Sequence, residues 1–140
     1  MLQELDTQLD IYQASAAAWD QTFEQLSSGE ISRALAHSRL KLLRSRLAQN
    51  SLEFSRYVPP RQLSKEQQDK LYDAARKMAS AAERRSEAAS AAIDWIDAPN
   101  AANEQQFRSA IADSTSFSLA ATPLITQVRA ELPPPKSAKN

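Results

Sequence analysis

The residues most able to do chemistry are the single histidine, His37, and Arg85, an arginine set in an otherwise apolar helical seam. A guanidinium held among apolar groups needs a carboxylate or becomes a site for an anion, because an unpaired buried charge costs several kcal/mol. Counting outward from the turns sets Arg85 level with Ser114, with Ala36 or His37, and with the stretch from Asp20 to Glu24. Asp20, Glu24 or Asp113 is therefore expected to supply its carboxylate. Two roles follow for this level. It is a polar layer that fixes helix register, as a polar seam residue does in coiled coils, or a small anion cavity lined by Arg85, His37 and Ser114. Snorkelling of the long side chain to solvent is a third outcome.

Other chemistries are poorly supplied. With one histidine, preceded at i−3 by Ala34, the paired E-x-x-H sites of four-helix di-iron proteins cannot be built. Zero cysteines remove disulfides, thiolate metal sites, iron–sulfur clusters and cysteine nucleophiles. Two methionines and one histidine give no haem or flavin ligand pattern, so neither a cofactor nor a metal is expected, and the chain reads as a non-enzyme. The run Ala36-His37-Ser38-Arg39-Leu40-Lys41 resembles the phosphorylated helix of histidine phosphotransfer domains, helical bundles of about this size. The resemblance implies phosphoryl acceptance at His37 beside a lysine. Here Leu40 stands at i+3, the lysine is Lys41, and the glycine that gives a response regulator room is absent.

Charge is distributed unevenly although the formal net charge is +0 and the pI is near 6.6. Residues 1–28 carry Glu4, Asp6, Asp10, Asp20 and Glu24 and no basic residue, whereas residues 29–62 are rich in arginine and lysine. These opposite charges are expected to face each other across the first hairpin and favour that pairing. The rival use of Arg33, His37, Lys41 and Arg44, which fall within an arc of about 80°, is a stripe for an anion or nucleic acid. Neutral net charge and the lack of an interleaved aromatic ladder argue against nucleic acid and anionic membrane as partners.

The elements that must position these residues are helices. Leu2, Leu5, Leu9, Tyr12, Ala16, Trp19, Phe23 and Leu26 alternate spacings of three and four, the seam of an amphipathic helix. Gly29 ends it, and Ser27 with Glu30 reads as the S-x-x-E capping box of the next helix. Pro59-Pro60 closes the second helix, Ser64 to Gln67 opens the third with an S-x-x-Q box, and Asn100 or Asn103 caps the fourth. The third seam is mostly alanine, which permits close approach but buries little area per residue. Pro123 is expected to kink the fourth helix. The sequence thus predicts an all-α antiparallel four-helix bundle with coiled-coil-like seams, its helices over about 2–28, 30–57, 64–97 and 100–132. One domain spans 1–132, followed by a disordered proline-rich tail over 133–140.

One feature exceeds what a monomer needs. Ile31, Leu35 and Leu42 form a second apolar stripe on the second helix, joined on the first by Ile11. Either another helix of the chain covers it or it is a partner surface. The leading expectation is a helical protein–protein interaction module (adaptor, small chaperone, or regulatory or structural subunit) that self-associates as a homodimer. Phosphotransfer or anion sensing at His37, and an amphipathic bundle that coats a lipid or granule surface, are the alternatives. The N-terminus lacks the basic and apolar regions of a secretory signal, and the location expected is the cytoplasm.

Overall fold

The computed structural model describes residues 1–133, so the tail expected from Pro133 onward lies, Pro133 apart, outside the described residues. Four helices follow in order: α1 (Gln3–Ser28), α2 (Arg33–Arg56), α3 (Lys65–Asp97) and α4 (Ala101–Glu131). Gly29 takes φ of 78°, a left-handed conformation natural to glycine. The Glu30 and Gly29 amides bond to the Gln25 and Leu26 carbonyls, closing α1 as a Schellman motif. That closure keeps Ser27 inside α1, so the capping box read there does not open α2. Ser32 does so instead, its hydroxyl accepting from the Leu35 amide at 3.1 Å, and α2 starts at Arg33 rather than Glu30.

The other boundaries lie close to those expected. Ser64 and Gln67 form a reciprocal capping box at α3, and Asn100 Oδ1 accepts from the Asn103 amide at 2.9 Å to start α4. α4 continues unbroken through Pro123. The freed Leu119 carbonyl belongs to a residue 67% exposed, on a side of the bundle that water can reach.

Neighbouring helices run antiparallel around a closed ring. Asn50 reaches Gln8 (α2 to α1), Ser51 reaches Ala79 (α2 to α3), Arg84 reaches Asp113 (α3 to α4), and Tyr12 meets Ser114 (α1 to α4). α3 approaches α4 and α2 most closely because Ala74, Ala75, Ala81, Ala82, Ala88, Ala89 and Ala92 are all buried along it. Bulk comes mainly from the other helices, to which α3 adds Leu71, Met78 and Ile96. Leu5, Leu47, Phe54, Leu71, Met78 and Val128 build one half of the core, while Trp19, Leu40, Leu43 and Ile96 build the other. Arg85 and Ser114 fall at the level between the halves. No helix among the described residues is long and apolar enough to cross a membrane.

Candidate functional site

Ser114 is the hub of that middle level. Its hydroxyl donates to the Ala81 carbonyl at 2.8 Å, lies 2.9 Å from the Tyr12 hydroxyl, and receives Arg85 Nε at 3.3 Å. A hydroxyl carries one proton, and Ser114 commits its own to Ala81; Tyr12 must therefore be a donor and Ser114 a double acceptor. The Arg85 guanidinium carbon stands 5.7 Å from the centre of the Tyr12 ring and 6.0 Å from that of Trp19. Trp19 stacks on Phe107 at 5.8 Å and Phe107 on Trp95 at 5.5 Å, so a file of rings leads to the cation.

The expected carboxylate is not there. Among the described residues Arg85 makes no ion pair: Asp113 is taken by Arg84 at 2.8 Å, and Asp20 and Glu24 are exposed on α1. The level on α1 is set by Tyr12 and Trp19, about a turn or two nearer the N-terminus than counting from the turns suggests. A serine hydroxyl, two π faces and partial access to water replace the anion, which a partly buried guanidinium tolerates. Ser114→Ala should cost about 2 kcal/mol in urea unfolding, because it strands the buried Tyr12 hydroxyl and a guanidinium N–H. Tyr12→Phe, which leaves Ser114 still bonded to Arg85 and Ala81, should cost about 1 kcal/mol or less.

His37 belongs elsewhere. Its Nε2 lies 2.9 Å from Asp97 Oδ1 at the end of α3, off the line of a ring N–H donor. Asp97 is about 18 Å beyond Arg85 along α3 at a rise of about 1.5 Å per residue. The structure therefore does not bring Arg85, His37 and Ser114 into one cavity. Among the described residues no group of three or more His, Asp or Glu converges to hold a metal ion.

The charges of the first hairpin also differ from expectation. Among the described residues no ion pair joins α1 to α2. The positions that face across the hairpin are neutral or singly charged: Asn50 Nδ2 donates to Gln8 Oε1 at 2.9 Å, and Arg39 donates to Gln25. Asp6 turns the other way, to Arg129 of α4. Asp10, Asp20, Glu24, Arg33, Lys41 and Arg44 are exposed and without an ion pair in the described chain. The buried Asn50 continues the spacing of Ala36 and Leu43, a signal the apolar seam conceals.

The second apolar stripe is left open on the outer side of the same hairpin. Ile11 is 39% exposed, Leu35 42% and Leu42 51%, with Ala14 and Ala17 exposed beside them. Ile31 is the exception: it precedes the Ser32 cap and packs on the core, as a residue before a cap does when it staples a helix start. Neither α3 nor α4 covers Leu35 or Leu42.

Another buried polar group lies at the far end of the bundle. The Tyr57 hydroxyl is buried without a partner among the described residues. Burial foremost, then the nearby Glu4 and Asp6 carboxylates, pushes its pKa up to about 12, against a smaller opposing pull from Arg129. The folded state thus holds the neutral phenol, and stability should fall as pH rises from about 10 to about 12, where the unfolded tyrosine ionises first. Tyr57→Phe should flatten that part of the pH profile and match or slightly exceed wild-type stability at pH near neutrality, as urea unfolding would show. The adjoining open groove, ≈ 280 Å³, is lined by Glu4, Thr7, Gln8, Glu53, Arg56 and Tyr57, whose mixed charges converge on no single ligand class. Comparison of the chain with protein families, curated proteins and solved structures finds no match.

Proposed function

We propose that this protein is a non-enzymatic helical interaction module whose working surface is the outer face of the α1–α2 hairpin, and that it self-associates through that face. The observation that carries the reading is the exposure of Ile11, Leu35 and Leu42 on the outer side of one hairpin, among alanine, serine and glutamine with Asp10, Arg39 and Arg46 as charged neighbours. Large apolar side chains left open together on one side of a bundle mark a partner surface. Size supports the reading too. Helices of 26 and 24 residues side by side offer a face about 37 Å long and about 20 Å wide, roughly 700 Å², close to the ~800 Å² per partner of a standard interface.

Sedimentation velocity over a concentration series tests this. The wild type is expected to be a dimer, and Leu42→Asp a monomer with unchanged far-ultraviolet circular dichroism, since the position is already half open to water. A wild type that stays monomeric at the highest attainable concentration overturns the reading.

A further inference from the structure

Most of the charges left unpaired lie on opposite edges of the proposed face, with Asp10 and Arg46 within it. At about 100° per residue, Asp20 and Glu24 share the flank of α1 that turns away from α2. Asp6, five turns before Glu24 on that flank, reaches Arg129 of α4. Arg33, Lys41 and Arg44 share the flank of α2 that turns toward α3, where His37 meets Asp97 and Arg44 Nη1 lies 3.5 Å from Ser90 Oγ. Across the face the order is therefore an acidic edge, a central band that holds Ile11, Leu35 and Leu42 together with Asp10, Arg39 and Arg46, and a basic edge. The edges are level, because the Gln25–Arg39 bond puts Asp20 and Glu24 beside the stretch from Leu40 to Arg44.

Two face-to-face arrangements are open to an isologous dimer. A two-fold axis across the helices lays α1 on α1 and sets acid against acid and base against base. An axis parallel to the helices exchanges the edges while keeping every level. Resting on the reading that the face self-associates, we infer that copies pair about the parallel axis, with Asp20 and Glu24 bridging Lys41 and Arg44 of the partner subunit, twice per dimer. The central band then meets itself across the axis, Leu42 near Leu42 of the partner subunit. Rim pairs of this kind add little affinity in water but select orientation, since the wrong arrangement collects like charges along both edges. The acidic α1 and basic α2, unpaired within the chain, are thus complementary between chains.

Charge reversal by edge tests the arrangement. Asp20→Lys/Glu24→Lys is expected to raise the dimer dissociation constant at least about tenfold at low salt, and Lys41→Glu/Arg44→Glu to do the same independently. Combining all four reversals in one chain should restore the wild-type constant, because the edges are again opposite. Sedimentation equilibrium reads each case, with circular dichroism confirming the fold. A wild-type dimer whose affinity is unmoved by the reversals, or is strengthened by Asp20→Lys/Glu24→Lys, overturns the parallel axis while leaving self-association standing. A monomeric wild type fails the underlying reading instead.

Discussion

Trp19→Ala is expected to destabilise the bundle by about 3–5 kcal/mol, read as a shift in the urea midpoint by circular dichroism at constant slope. Trp19 is 4% exposed and is the one ring that touches Phe23, Phe107 and the Arg85 cation together. α1 and α4 meet through such large side chains and not through close backbone approach. Removing the indole therefore leaves a void that helices spaced for it cannot close by small shifts. It also strips one π face from Arg85. Trp19→Phe, which keeps the stacking partner for Phe107, should lose less than half as much. A loss below about 1 kcal/mol for the alanine variant would mean that α1 is held by its seam with α2 alone.

The buried set was readable because it depends only on helical period. Leu5, Tyr12, Leu40, Leu43, Leu47, Phe54, Leu71, Met78 and Ala82 are buried where spacings of three and four put them. The cation–π contacts and the Ser114 hub were half readable. Their residues stand in the seams, so their common level could be counted, but which atom bonds which depends on shifts of a turn that the loops decide. The charge pairing was not readable. A rotation of about one residue turns an acid from the neighbouring α2 to α4 or to solvent. Asp6 lands on Arg129, whereas Asp20 and Glu24 land on neither. Nor can periodicity say whether a second apolar stripe is covered. Ile31 and Leu35 are one turn apart, yet the first packs on the core as a cap-flanking residue and the second is exposed.

Phe54→Ala should cost as much as the loss of Trp19, about 3–5 kcal/mol, for a different reason. Phe54 is 1% exposed in the half of the core where α3 contributes Ala74, Ala75, Ala81 and Ala82. Alanine has no rotamers with which to fill a neighbour's void, so on α3 only Leu71 and Met78 can shift toward the cavity and much of it persists. Trp19 and Phe54 sit in separate core halves with the Arg85–Ser114 level between them and no shared partner. The double variant should then be additive within about 0.5 kcal/mol. Coupling well beyond that would show the polar level transmitting strain along the bundle. Repeating the cycle in the Ser114→Ala background identifies the carrier, because a coupling that runs through the hub must change when its hydroxyl is removed.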